Sequence, residues 1–291
     1  MHPRIFLLVL AVLGLSSVPK AGAETEIIPD VVYGHKDGMA LTYDMCLPEA
    51  SERNGAGIIF MMSGAWVSRW VDPKTMISRL NPMSAPFREM LDRGYVLYFL
   101  RHGSAPKYKV PEAVEDVRRA ARHIRSNAPK YDVDPDRLGA TGMSAGGHLS
   151  LVLGTLGESR EDGTTRREPP IAAVVAWYPP TDLEPYLDRA DEFEALDFDR
   201  EKARKISPRY HVDACDAPVL LLHGDRDRLV PLEHSEAMVV ALEEKGVPVE
   251  LVVFPGQGHG FAGGEGARAA GMMIDFFDEQ IGASENLKDA P

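Results

Sequence analysis

The stretch LGATGMSAGGHLSLVLG, Leu138 to Gly154, decides how the rest of the chain is read. A short apolar run ends in glycine, a single serine follows, and two more glycines come before the next apolar segment. Gly142-x-Ser144-x-Gly146 fits the G-x-S-x-G pattern of a nucleophile elbow. At such an elbow the backbone leaves a strand, turns sharply and enters a helix. The flanking glycines remove Cβ atoms that would clash, and the serine is held in a strained conformation. A Ser-Gly-rich turn also occurs in many α/β proteins without chemistry. A catalytic reading therefore needs a base, an acid and an oxyanion site elsewhere in the chain.

Strand-like and helix-like segments alternate around this stretch. PDVVYG and MALTYDMCLP read as an antiparallel hairpin turning at Asp37-Gly38. AGIIFMMSG, YVLYFLRHG, RLGATG, IAAVVAWY, APVLLLHG and PVELVVFP read as further strands. Between them lie helical segments. The clearest, VPEAVEDVRRAARHIRSNAPKY, places Val114, Val117, Ala121 and Ile124 at helical spacing, with Pro111 near its start. Helices are also expected over APFREMLDRG, Ser144 to about Leu156, PLEHSEAMVVALEEKG and GARAAGMMIDFFDEQIG. This alternation predicts an α/β fold: a mostly parallel eight-stranded sheet, helices on both faces and right-handed crossovers. Two segments break the rhythm. GESREDGTTRREPP is expected to be a polar surface loop. The acid-rich stretch 181–213 sits where a small lid would cover the strand ends, and its bland alternative is a solvated surface helix.

The first 23 residues stand apart. MHPRIFLLVLAVLGLSSVPKAGA has a basic start at Arg4, an apolar run from Ile5 to Leu15, and small residues at Ala21 and Ala23. That is the layout of a cleavable secretory signal peptide, and the apolar run is too short for a stable membrane anchor. A secreted or periplasmic protein is expected, with one domain over 24–291. No internal repeat is visible. The formal charge is −12, and loss of a leader carrying Arg4 and Lys20 would make it more negative. Such a balance argues against nucleic-acid binding, which depends on phosphate neutralisation. Cys46 and Cys215 are expected as two buried thiols rather than a disulfide. No Cys/His zinc spacing, H-E-x-x-H or P-loop is present, so no metal or cofactor is expected.

Ligands in open α/β sheets bind beyond the carboxyl ends of the strands. Polar residues at those ends are therefore the candidates. Ser144 follows RLGATG, Asp225 and Asp227 follow APVLLLHG, and His259 follows PVELVVFP. The types fit nucleophilic catalysis. A serine hydroxyl needs an imidazole to take its proton, and a carboxylate must orient and stabilise that imidazole. Asp227 lies deeper in its loop than Asp225 and is the preferred acid, while Asp225 suits a turn. His223 and His148 read as packed or bracing histidines, and His102 is a strand-end residue with no assigned partner. Oxyanion amides are expected from Ala145 and from Gly64 and Ala65 in Met62-Ser63-Gly64-Ala65-Trp66. Trp66 and Tyr178 are candidate substrate-binding residues. The G-x-G-x-x-G spelled by Gly258 to Gly263 runs into the last helix, with no following strand, so it does not read as a dinucleotide site.

In combination, GMSAGGHLSL, HGDRDRLVP and GQGHGF, with YGHKDGMALTYDMCLPE at the start, resemble the α/β-hydrolase esterases over nearly all of 24–291. The nearest likeness is to the hormone-sensitive-lipase-like and feruloyl- or acetyl-esterase-like branch. MSGAW departs from the H-G-G-G motif found there. The resemblance implies a serine carboxylic-ester hydrolase acting through an acyl-enzyme on a small-molecule or carbohydrate-linked ester, without cofactor. Two other readings share the fold: a secreted peptidase of prolyl-oligopeptidase type, and a catalytically silent binding protein.

Overall fold

The computed structural model describes residues 25–78, 80, 84–156, 158–159, 167–168 and 170–282. The expected signal peptide lies outside the described residues. The strands are β1 (Glu26–Lys36), β2 (Met39–Leu47), β3 (Gly57–Met61), β4 (Val96–Leu100), β5 (Leu138–Met143), β6 (Glu158–Ser159), β7 (Arg167–Glu168), β8 (Ala173–Trp177), β9 (Val219–Gly224) and β10 (Val249–Phe254). Eight of them form one sheet in the order β1-β2-β4-β3-β5-β8-β9-β10. β1 pairs with β2, and β2 with β4, antiparallel; every later pairing in this sheet is parallel. The β1–β2 turn uses Asp37 and Gly38 at φ 49° and 79°, the positive values that primed hairpin turns require.

The helices are α1 (Pro73–Met76), α2 (Ala85–Asp92), α3 (Val110–Asn127), α4 (Ala145–Thr155), α5 (Arg200–Ala203), α6 (Glu233–Glu243) and α7 (Glu265–Ile281). They divide between the two faces. Residues of α3, α4 and α6 share one buried apolar cluster, and residues of α2 and α7 share the other. Every residue of α4 is buried, which accounts for its weak amphipathicity in sequence. β4, β8 and β9 are buried along their whole length, as expected for parallel strands covered on both sides.

Three expectations are refined. Within GESREDGTTRREPP, β6 and β7 pair as a short antiparallel ribbon, and most of the remainder is outside the described residues. The stretch 181–213 is neither one helix nor irregular throughout. It is a string of short turns: 3-10 turns at Glu184–Arg189, Glu194–Leu196, Arg204–Ile206 and Pro208–Tyr210, with α5 among them. Most of its acids face outward, the exception being Asp182, which is buried with Tyr186, Ala195, Leu196, Ala203 and Ile206. Cys46 and Cys215 are not joined in a disulfide, and only Cys46 is buried; Cys215 is half-buried beside Asp213. Burial pushes the Cys46 thiol up to about 12, with the Asp44 carboxylate adding to the shift.

The last helix matters for the site because it fixes the end of the chain segment that follows β10. Its anchor is Phe277, fully buried against β5. The fit leaves no room: a Cβ at Gly139 would lie 2.6 Å from Phe277 Cε1. Phe277→Ala is expected to cost about 3–5 kcal/mol, the range for truncating a buried aromatic. Urea unfolding would register this as a lower midpoint at unchanged slope.

Candidate active site

The parallel strands deliver the candidate residues to one edge of the sheet. Ser144 follows β5 directly and has φ 53° and ψ −118°, a conformation that costs a non-glycine residue on the order of 1–3 kcal/mol. It is held from both sides. Its N–H donates to Trp177 O at the end of β8 (2.9 Å), and its carbonyl accepts from His148 N–H (3.0 Å). The glycines around it are there for close approach. A Cβ on Gly142 would lie 2.6 Å from the carbonyl of Gly146, closer than real side chains come.

Asp227 and His259 meet Ser144 across the top of the sheet. His259 Nδ1 lies 2.7 Å from Asp227 Oδ2, and His259 Nε2 lies 2.8 Å from Ser144 Oγ. With a carboxylate on one side, Nδ1 carries the proton, so Nε2 accepts from the serine hydroxyl. The other Asp227 oxygen accepts from the amides of Leu229 and Val230, each at 2.9 Å. Burial alone would raise the Asp227 carboxyl. Hydrogen bonds from His223, His259 and the Val230 amide win and hold it well below the usual carboxylate range. It stays ionised. Asp225 lies apart from this chain: it is exposed and accepts from Gly256 N–H at 2.6 Å, tying the two loops together. Tyr178 packs its ring edge-on to His259 at 4.6 Å, backed by Phe261. Burial, with a smaller contribution from Asp227, pushes the Tyr178 phenol up to about 12, so it remains neutral.

His223 and His148 are braces. His223 is fully buried between Ser235 Oγ (2.7 Å) and Val230 O (2.8 Å). His148 accepts from the Trp66 indole N–H at 3.1 Å and donates Nε2–H to Ile206 O at 2.8 Å. It thus links α4, the loop after β3 and the 181–213 stretch. Complete burial brings its pKa down to about 4, despite the Ile206 carbonyl, so it is neutral.

The loop after β3 corrects one expectation. Gly64 N–H is committed to Val67 O at 3.1 Å, and Val67 N–H donates back to Gly64 O at 2.9 Å. Gly64 is therefore not free to serve as an oxyanion donor. These two bonds close a tight turn with Ala65 at φ 49° and Trp66 at φ 55°. Among the described residues the amides of Ala65 and Ala145 donate to no acceptor. Ala145 N–H also opens the eleven-residue α4, where the helix dipole favours negative charge. Ala145 adjoins Ser144 and Ala65 lines the same cleft, so these two unclaimed amides can receive an oxyanion.

These groups open onto a cleft of about 710 Å³. Trp66 and Tyr178 line it, as do Tyr186, Phe193 and Leu196 from the 181–213 stretch. The acid-rich stretch thus contributes its apolar residues to the cleft. No local motif in the sequence announces that the Trp66 indole is tied to His148.

A family model for BD-FAE matches residues 43–242. Esterase LipC of Mycobacterium tuberculosis is 30% identical over 231 residues, covering 72% of this chain and 54% of its own length. The chain thus spans about half the length of that relative. Among solved structures, a truncated carbohydrate esterase from gut microbiota superposes with a TM-score of 0.68 at 28% identity, covering 90% of this chain and 98% of its own. A propionate-bound Est2 esterase of Thermogutta terrifontis gives 0.67 at 25%, covering 89% and 94%. With the sheet order above and a match over more than half its length, the chain belongs to the BD-FAE family of α/β-hydrolase esterases.

Proposed function

We propose that this protein is an exported serine carboxylic-ester hydrolase that cleaves short-chain or aromatic acyl esters. The observation that carries the reading is the His259 imidazole, hydrogen-bonded at once to Ser144 Oγ and Asp227 Oδ2. The export part rests on the leader sequence alone. Ser144 Oγ attacks the ester carbonyl carbon while its proton passes to His259 Nε2. The carbonyl oxygen becomes an oxyanion held by the amides of Ala65 and Ala145. Asp227 stabilises the imidazolium without taking its proton. Collapse of the tetrahedral intermediate breaks the ester C–O bond, and His259 returns the proton to the leaving alcohol. Water then repeats the sequence on the acyl-enzyme, with His259 as base, releasing the acid and restoring Ser144. The aromatic wall from Tyr186 and Phe193 supplies the apolar surface for the acyl group, and the 181–213 stretch acts as a compact lid.

Ser144→Ala is expected to lower ester turnover by on the order of 10⁴-fold or more while the fold is kept. Fluorophosphonate labelling should vanish with it. Labelling retained on another serine would overturn the assignment.

The two aspartates should separate cleanly. Asp227→Asn leaves the imidazole without its charge partner and allows the wrong tautomer, so kcat should fall on the order of 10⁴-fold. Asp225→Asn only weakens a bond to Gly256 N–H, and its kcat is expected to stay within about tenfold. Steady-state kinetics on one soluble ester, with thermal unfolding of each variant, ranks them. The reverse order would mean that the acid is Asp225.

Acyl length tests the lid. One methylene in an apolar pocket changes binding by only about 1–3 kcal/mol, so a steep cutoff must come from steric closure. Hydrolysis is expected for acetyl to roughly hexanoyl esters and should fall sharply by about ten carbons if the aromatic wall closes the cleft. Faster turnover of long-chain esters in a 4-nitrophenyl series would show the lid to be open.

A further inference from the structure

One polar pair beside the cleft has no part in the mechanism above. Ser63 lines the cleft at the end of β3, immediately before the turn that carries the Ala65 amide. Its Oγ lies 2.8 Å from His102 Nε2. His102 is 6% exposed, and its other nitrogen, Nδ1, lies 2.8 Å from Gly103 O. A carbonyl can only accept, so Nδ1 carries the proton and Nε2 is bare. Ser63 must then donate its hydroxyl proton into the protein. Burial lowers the His102 pKa, although the Gly103 carbonyl and Asp116 oppose that shift, so the ring stays neutral.

The arrangement continues behind the ring. Gly103 N–H donates to Asp116 Oδ2 at 3.0 Å, and Lys36 Nζ lies 2.7 Å from Asp116 Oδ1. The approach is close, since a Cβ on Gly103 would meet Asp116 Oδ2 at 3.0 Å and the Tyr108 ring at 2.7 Å. A buried ion pair thus holds Gly103, Gly103 orients His102, and His102 takes the proton of Ser63. Among the described residues Ser63 Oγ has no other partner. What the cleft wall presents is a serine oxygen with its proton turned away and its lone pairs unclaimed.

We propose that Ser63, oriented by His102, is a specificity-determining acceptor that selects esters carrying a hydroxyl group near the scissile bond. An acceptor in a mostly apolar cleft loses its water when an ester enters. A substrate donor replaces that bond, whereas a plain hydrocarbon leaves the oxygen desolvated and unpaired. His102 is a positioning residue here, since it acts through the Ser63 hydroxyl. The proposal rests on the esterase reading of Ser144.

The test compares kcat/KM for two matched pairs of esters. In the acyl pair, 4-nitrophenyl 3-hydroxybutyrate is set against 4-nitrophenyl butyrate. In the alcohol pair, glycerol monobutyrate is set against propyl butyrate. The wild-type protein should favour the hydroxylated member of one pair by roughly tenfold, the value of one neutral hydrogen bond. The responding pair tells which side of the ester Ser63 faces. Ser63→Ala should remove that preference, and His102→Phe should reduce it because the hydroxyl loses its fixed direction. The double variant should discriminate no less than Ser63→Ala alone. Should Ser63→Ala fold poorly, Ser63→Cys keeps the volume and weakens the acceptor, and is expected to lose the same preference. Absence of a preference in both wild-type pairs, or an unchanged ratio in the Ser63 variants, overturns the proposal. Fluorophosphonate labelling of Ser144 in the same samples separates that failure from a failure of the esterase reading, which would abolish labelling and hydrolysis of all four esters.

Discussion

The backbone of Ser144 is the constraint on which the rest of the site depends. A left-handed φ at a serine is unfavourable in isolation, so the surrounding structure must impose it. The hydrogen bond from Ser144 N–H to Trp177 O does this by pinning the turn to the end of β8. The bare edges of Gly142 and Gly146 then let α4 start within van der Waals contact of β5. One consequence is that the Ala145 amide emerges at the helix start beside the hydroxyl. Another is that the hydroxyl stands clear of the sheet, within reach of a histidine carried on the loop after β10.

The opposing wall of the cleft is held by a different device. Ala65 and Trp66 both have positive φ without being glycine, so the turn carries conformational strain on the order of 1–2 kcal/mol per residue. Trp66 offsets part of it by burying its indole and donating to His148. Since His148 also donates to Ile206 O, the turn and the acid-rich stretch are fastened to the same ring on α4. A histidine one helical turn after the serine thereby sets the distance between the two walls of the cleft. Neither Ala65 nor the aromatic lining can shift without disturbing that ring.

Much of this was legible in the sequence, for reasons specific to parallel sheets. Strands buried on both faces read as apolar runs, and the residues after them must lie at one edge. Ser144, Asp227 and His259 could therefore be placed together without knowing any distance. Asp227 stood out from Asp225 because two further residues of loop are needed to reach a neighbouring strand's histidine. The Gly64 amide was misjudged because a hydrogen bond to Val67 depends on a turn type that glycine, alanine and tryptophan do not announce. The stretch 181–213 was equally opaque. Its acids dominate the pattern, yet its conformation is set by a few apolar anchors at irregular spacing, which no helical or strand period describes. Ser63 and His102 lie 39 positions apart, so only the β3–β4 pairing reveals that they touch.

The histidines show why residue type alone could not single out His259. His102, His148 and His223 each lie 2.8 Å from a backbone carbonyl, at Gly103, Ile206 and Val230. A carbonyl fixes a tautomer but gives a buried positive charge little compensation. His102 and His148 have their pKa values lowered by burial and remain neutral acceptors for Ser63 and Trp66. His259 faces a carboxylate at 2.7 Å, and its side chain is 20% exposed. That carboxylate is kept ionised by its own hydrogen bonds, so a proton arriving on His259 meets a fixed negative charge rather than a dipole. The cleft therefore uses one side chain in two ways, and the second partner of each ring decides which. Opposite a carbonyl, the imidazole is a structural acceptor; opposite Asp227, it faces a carboxylate and turns Nε2 to the Ser144 hydroxyl.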